Sequence, residues 1–137
     1  MEIKVRYFSK FGRTERIARA IAEGAGVTAV SLLDEKAPQG SCDVLFLGGA
    51  PYANVMAPEL RAYAEALTKE SIGKVVLFTT ACWSHRTVKG LKKIFQGKGI
   101  PVDDEYFYAQ MLRVKDKEPD ARAFAEKTVR NLSPEQE

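Results

Sequence analysis

Residues 3–24, IKVRYFSKFGRTERIARAIAEG, decide the fold of this chain. Ile3 to Phe8 has the composition of a short strand. Thr14 to Glu23 carries Ile17, Ala18, Ala20 and Ile21 on one face and Glu and Arg on the other, which is helical spacing. Between them lies the tight polar loop Ser9-Lys10-Phe11-Gly12-Arg13-Thr14. A strand that turns directly into a helix leaves the first helical N–H groups without intrahelical partners. With the positive end of the helix dipole behind them, those donors form a natural seat for an anion. Gly12 lets the backbone bend and approach a ligand closely. Ser9 and Thr14 bring hydroxyls, and Lys10 and Arg13 bring positive charge. Ser, Thr and Gly also cap and turn many helices that bind nothing, so the loop alone does not decide between a phosphate seat and a plain helix cap.

The rest of the chain continues the alternation. Gly24 and Gly26 are expected to end the first helix, and Val27 to Leu33 reads as a second strand. Asp43 to Gly49 (DVLFLGG) is apolar through its middle, the pattern of a strand covered on both faces. It runs into an expected loop, Gly49-Ala50-Pro51-Tyr52-Ala53 and on to residue 55. Pro58 to Leu67 is helical, with Pro58 suited to a first turn. Lys74 to Thr80 (KVVLFTT) is another buried strand and stops at Thr80-Ala81-Cys82-Trp83-Ser84. Val88 to Phe95 predicts a third helix closed by Gly97 and Gly99. Val102 to Met111 predicts an edge strand, and Pro119 to Leu132 a last helix, followed by a frayed SPEQE. No convincing helix joins the second and third strands. The chain therefore predicts one α/β domain over residues 1–137, with an open, largely parallel, doubly wound sheet and helices on both faces, for which right-handed crossovers leave few topologies. Ligands of such sheets sit beyond the carboxyl ends of the strands, at the switch in strand order. Loops 9–14, 49–55 and 79–86 are expected to gather there.

Composition narrows the function. The chain has 137 residues, 45% of them hydrophobic and 28% charged, ordinary for a soluble domain. No apolar run is long enough to span a bilayer, and MEIKVRYF lacks the apolar core of a signal peptide, so a cytoplasmic location without membrane insertion is the expectation. Two cysteines, Cys42 and Cys82, and the single His85 are too few for a zinc or iron–sulfur site. A reducing compartment gives no reason for a disulfide between them. The net charge of +3 is modest and lacks a dense basic block with interleaved aromatics, which argues against nucleic-acid binding.

The three loops resemble those of the flavodoxin family. Tyr7-Phe8-Ser9-Lys10-Phe11-Gly12-Arg13-Thr14, followed by Ile17-Ala18 and Ile21-Ala22, is similar to that family's first strand, FMN phosphate loop and first helix. DVLFLGGAPY with Pro58-Glu59-Leu60 resembles its third strand and first isoalloxazine loop, and KVVLFTTACW its fourth strand and second such loop. The resemblance implies a doubly wound five-stranded parallel sheet in the order 2-1-3-4-5, and FMN as cofactor. Its phosphate would lie on the N–H groups of Lys10, Phe11, Gly12, Arg13 and Thr14 and the hydroxyls of Ser9 and Thr14. The flavin ring would lie between Gly49, Ala50, Pro51, Tyr52 and Ala53 on one side and Thr79, Thr80, Ala81, Cys82 and Trp83 on the other. Tyr52 and Trp83 would supply flat aromatic partners. It further implies an electron carrier or a small flavin-dependent reductase that meets a redox partner protein as a monomer or weak dimer. Three features depart from the family pattern: in the first loop Arg13 replaces a usual Asn and Phe11 a residue that is often hydroxylic, the chain is basic where many flavodoxin electron carriers are acidic, and Arg6 interrupts a Val/Ile strand.

Each singled-out residue also has a plain structural role open to it. Trp83 suits partner binding or core capping, Cys82 suits packing, and His85 suits a solvated helix start or proton donation. Arg86, Lys89, Lys92 and Lys93 suit an acidic docking partner or an ordinary solvated surface. Phe11 and Arg13 support an alternative in which the fold has lost FMN and serves as a protein-interaction module. A phosphoacceptor receiver domain needs acidic residues where Phe8-Ser9 and Gly48-Gly49 stand, so it is rejected. The first loop lacks the closing Gly-Lys-Ser/Thr of a P-loop.

Overall fold

The computed structural model describes residues 1–132; the SPEQE tail lies outside the described residues. Strand β1 (Ile3–Phe8) leads through the Ser9–Gly12 loop into helix α1 (Arg13–Ala25), followed by β2 (Ala29–Ser31) and β3 (Cys42–Gly49). A small hairpin, β4 (Pro51–Tyr52) and β5 (Val55–Met56), precedes α2 (Pro58–Ala66). Then come β6 (Ile72–Ala81), α3 (Arg86–Lys98), β7 (Phe107–Gln110), a 3₁₀ turn (Met111–Arg113) and α4 (Val114–Leu132). The main sheet has five strands, all parallel, in the order β2-β1-β3-β6-β7. Counting only its own members in chain order, that is the predicted 2-1-3-4-5.

Both faces of the central strands are apolar because both are covered. Val5 and Tyr7 of β1, Val44 and Phe46 of β3, and Val76 and Phe78 of β6 pack under α1 and α4 with Ile17, Ile21, Ala121 and Ala125. The alternate residues Phe8, Leu45, Leu47, Val75 and Leu77 pack under α2 and α3 with Leu60, Tyr63, Leu91 and Phe95. Gly48 leaves room for the Phe78 ring, with which an added Cβ would collide.

Several boundaries differ from the sequence expectation. Gly24 lies inside α1, where a Cβ would strike the Arg122 carbonyl oxygen of α4. Its missing side chain sets the close approach of the two helices, and Gly26, at φ 75°, is the left-handed cap. Strand β2 is only three residues long. The predicted strand from Val102 shrinks to Phe107–Gln110, with Val102 joined to the sheet by one bridge to Val75. Helix α4 begins at Val114, five residues before Pro119. Proline at that point removes only one N–H near the helix start, a cost the packed apolar face outweighs.

Arg6 is 8% exposed and is not left unpaired. Its Nε donates to Glu35 at 3.0 Å and its Nη1 to the Val5 carbonyl at 3.0 Å. Tyr63 of α2 donates to the same Glu35 oxygen at 2.6 Å. Arg6 falls on the α2–α3 face at β1, next to the β2–β3 connection, which is an irregular segment instead of a helix. Glu35 belongs to that segment and ties it to the sheet and α2. Burial pushes the Glu35 carboxyl upward, but hydrogen bonds from Arg6 and Tyr63, aided by the Arg6 charge, hold it below its ordinary value. Burial and the neighbouring carboxylate push the Tyr63 hydroxyl well up.

Glu35→Ala is expected to lower unfolding stability in urea by about 3 kcal/mol, because it strands the Arg6 charge. The double variant Arg6→Met/Glu35→Leu should lose less than the single one. Since the folded-state pKa of Glu35 is depressed, its contribution is fully present above the unfolded carboxyl pKa and is lost as pH falls through the folded value. Urea midpoints of the wild type and Glu35→Gln should therefore converge in acid, and a gap constant with pH would refute the linkage.

Candidate functional site at the carboxyl ends of the strands

Parallel pairing brings the ends of β1, β3 and β6 together, with Phe8 opposite Gly49 and Gly48 opposite Phe78. The predicted loops gather at this end. Gly12 is the residue before α1 and holds φ 89°, a left-handed conformation in which a side chain is strained although nothing lies within 4 Å of its Cβ position. Ser9 Oγ accepts the Gly12 N–H at 3.0 Å and so folds the loop on itself. No side chain caps α1, and the N–H groups of Arg13, Thr14 and Glu15 have no partner among the described residues. Arg13 and Lys10 are exposed beside them.

The Thr14 hydroxyl is not at the loop surface. It is buried against the Thr80 hydroxyl at 2.8 Å, which locks the head of α1 to the end of β6. Thr79 is equally buried and donates to the Gly49 carbonyl at 2.7 Å, locking β6 to β3. Thr14, Thr79 and Thr80 thus act as struts behind the loops. Ala50 and Ala81 are buried, and Pro51 and Cys82 are partly buried.

Residues 51–56, expected to be loop, form the β4–β5 hairpin. Its two turn residues, Ala53 and Asn54, have φ of 51° and 62°. Positive φ at both central positions is what a tight two-residue hairpin demands. Asn accepts it readily and Ala does so under strain. The hairpin carries Tyr52 back over the first loop. The Lys10 N–H donates to the Tyr52 hydroxyl at 2.8 Å, Lys10 Nζ lies 4.8 Å from the ring centroid, and Phe8 and Phe11 meet the ring edge-on. Burial pushes the Tyr52 hydroxyl up against the opposing effect of the Lys10 N–H.

A cleft of about 600 Å³ opens between the hairpin and the β6–α3 loop, lined by Pro51, Asn54, Ala81, Cys82, Trp83, His85, Arg86, Lys89 and Met111 among others. Trp83 stands at its edge, 84% exposed. A second recess of about 400 Å³ at the head of α1 is lined by Phe11, Gly12, Arg13, Arg16, Leu112 and Lys115, and Met111 borders both. Only a slot of about 20 Å³ lies between them, beside Ser9, Thr14, Ala50 and Tyr52.

Two features were missed in the sequence. Met111 follows the edge strand, and its position between the recesses depends on where that strand ends. His85 is no freely solvated helix start: its Nδ1 bonds the Tyr106 hydroxyl at 2.7 Å and its ring stacks on Tyr108 at 4.5 Å. Tyr108 in turn donates to the Ala81 carbonyl at 3.0 Å. The spacing of Tyr106 and Tyr108 on an edge strand beside the β6–α3 loop was the available signal. Cys42 and Cys82 are free and lie at opposite ends of the sheet. Among the described residues no helix is long and apolar enough to cross a membrane.

Neither a protein-family model nor a curated protein sequence matches this chain. Solved structures do match its shape. A flavodoxin from the domain Archaea is similar at TM-score 0.79 and 14% identity over 96% of this chain and 98% of that one. A short-chain flavodoxin associated with a non-canonical PDU bacterial microcompartment gives TM-score 0.74 and 17% identity, covering 97% and 100% of the two chains. A Fusobacterium nucleatum flavodoxin bound to flavin mononucleotide gives TM-score 0.66 and 14% identity over 96% and 98%. The fold is flavodoxin-like.

Thr80→Val leaves the buried Thr14 hydroxyl without its partner and is expected to cost about 1–3 kcal/mol in urea unfolding. The double variant Thr14→Val/Thr80→Val removes both polar groups at nearly constant shape and should recover most of that loss. Additive losses would show that the pair does not act as a strut.

Proposed function

We propose that this chain is an FMN-binding redox protein, an electron carrier or a small flavin-dependent reductase. The observation that carries the proposal is the uncapped start of α1. A side-chain cap at a helix start is worth about 1 kcal/mol. Helices α2 and α3 also lack one, but only at α1, beside the charges of Lys10 and Arg13, does a left-handed glycine, Gly12, lead into the uncapped Arg13, Thr14 and Glu15. Their N–H groups, the Ser9 hydroxyl and the Arg13 guanidinium make a donor set suited to a phosphate ester. The neighbouring cleft has the exposed Trp83 on one wall and the hairpin on the other, which suits a flat ring. The donors and the cleft fit the group together. FMN when bound supplies one- and two-electron chemistry. The chain's part is to hold the phosphate at the N–H groups of Arg13, Thr14 and Glu15 with the Ser9 hydroxyl, face the ring with Trp83, and offer backbone groups of Gly49, Ala50, Ala53 and Ala81 to its edge. Tyr52, expected as a second aromatic partner, is engaged by the first loop instead. Support also comes from the flavodoxins that share the fold.

Two observations favour a second reading, a protein-interaction module without flavin. The Lys10 N–H is occupied by Tyr52, and the space between the first loop and the hairpin is only about 20 Å³.

The visible spectrum of the purified protein and an FMN titration followed by flavin fluorescence separate the two. Flavin bands, or saturable quenching at micromolar FMN or below, are expected. Gly12→Val should abolish binding while the far-ultraviolet circular dichroism of the fold persists. Trp83→Ala should weaken binding and brighten the bound flavin. A colourless protein with no quenching would leave the interaction module in place.

A further inference from the structure

We infer that the carboxyl end of the sheet is a docking face for an acidic protein, centred on the groove between the β4–β5 hairpin, α2 and α3. That groove, of about 330 Å³, is lined by Asn54, Val55, Met56, Arg61, Arg86 and Lys89 together with Gly90. It shares Asn54, Arg86 and Lys89 with the larger cleft, so the two are continuous. Arg61 comes from α2, while Arg86 and Lys89 are three residues apart on one face of α3. All three are exposed, and none forms an ion pair among the described residues.

Further cations line the neighbouring recess. Arg13, Arg16 and Lys115 line the recess at α1, and no carboxylate lines any of the recesses at this end. Glu118 is beside them but is bound to Arg16 at 2.6 Å. Other cations stand beside acids, both at this end, as in Arg19–Glu15 and Arg113–Asp116, and away from it, as in Lys74–Asp103 and Arg122–Glu23. Acids also stand at this end, Asp34 after β2 and Glu15 and Glu59 in the first turns of α1 and α2, but none of them lines the groove between the hairpin, α2 and α3, so the unpaired positive charge is concentrated there.

Among the described residues that end also carries five of the six large apolar side chains left exposed, Phe11, Val55, Trp83 and Leu112 around the recesses and Leu33 after β2. Exposed aromatic and aliphatic groups set among Arg residues are the composition of a protein interface. The cations extend from Arg13 and Lys115 to Arg61, farther than one small anion reaches, and the interleaved apolar groups offer a small anion nothing. The two-residue turn at Ala53-Asn54 fixes the hairpin that presents Val55, which lowers the ordering cost of docking. Positive potential of this kind steers and orients an acidic partner. The partner's part in electron transfer rests on the redox reading, whereas the surface itself does not.

Trp83 is the only tryptophan of the chain, so its emission reports on this face without any flavin. The test is titration of the flavin-free 137-residue chain with a plant-type [2Fe–2S] ferredoxin, an acidic protein, while Trp83 emission is followed. Saturable quenching is expected at low salt, and its loss near about 1 M salt, where the Debye length is about 3 Å. Arg61→Glu/Lys89→Glu should weaken binding at least about tenfold. Lys69→Glu/Lys127→Glu makes the same charge change at the opposite end and should leave it near wild type. Circular dichroism confirms that each variant is folded. Absence of salt-sensitive binding, or equal weakening by both variants, would overturn the proposal. So would equal quenching by inorganic pyrophosphate or a single-stranded oligonucleotide. Ferredoxin binding by a chain that fails to take up FMN would keep the docking face and remove the redox reading; FMN uptake without ferredoxin binding would do the reverse.

Discussion

Strand β3 has nowhere to satisfy its backbone except in the plane of the sheet. Both of its faces are buried, Val44 and Phe46 under one helical layer and Leu45 and Leu47 under the other, and an unpaired buried N–H or C=O is costly. Its only available partners are β1 and β6, and both run parallel to it. Parallel neighbours require crossovers, and right-handed crossovers place helices on the two faces. The chain therefore leaves β1, β3 and β6 at the same end of the sheet. The site exists because this constraint delivers three loops to one place.

Behind those loops the struts are polar. Thr14 to Thr80 and Thr79 to Gly49 are buried hydrogen bonds that join α1, β3 and β6 where the strands end. In a low-dielectric interior such bonds are strong when satisfied and expensive when half satisfied, so they fix the spacing of the loops. Arg6, Glu35 and Tyr63 do comparable work at the edge of the sheet. There the β2–β3 segment has no helix with which to cover β1, and a buried ion pair with a tyrosine hydroxyl holds it down.

Much of this was legible in the residues because it follows from periodicity and turn chemistry. The two-sided apolar runs 43–49 and 74–80 identify buried parallel strands, and Ser9–Thr14 before an amphipathic helix identifies the first turn. Errors fell where a local rule met a tertiary reason. Gly24 looks like a helix end, yet its missing Cβ serves the α1–α4 contact. Pro119 looks like a helix start, yet α4 begins at Val114 because its apolar face packs on the sheet from there. Pro51 to Met56 looks like a loop because Ala53 carries no sign of the positive φ it adopts.

The sequence by itself determined the α/β alternation, the parallel sheet covered on both faces and the three loops that meet, since hydrophobic period and right-handed crossovers leave few other solutions. Its likeness to flavodoxin loops supplied the strand order. Only the tertiary structure decided what those loops do with their polar groups. It turned the Thr14 hydroxyl inward to Thr80, gave Arg6 its carboxylate, clamped His85 between Tyr106 and Tyr108, and placed Met111 between two recesses. It also gathered Arg61, Arg86 and Lys89 around one groove. Each of these depends on which distant residues share a few ångströms of space. Hydrogen bonds and charge pairs act over that range alone, and spacing along the chain does not encode it.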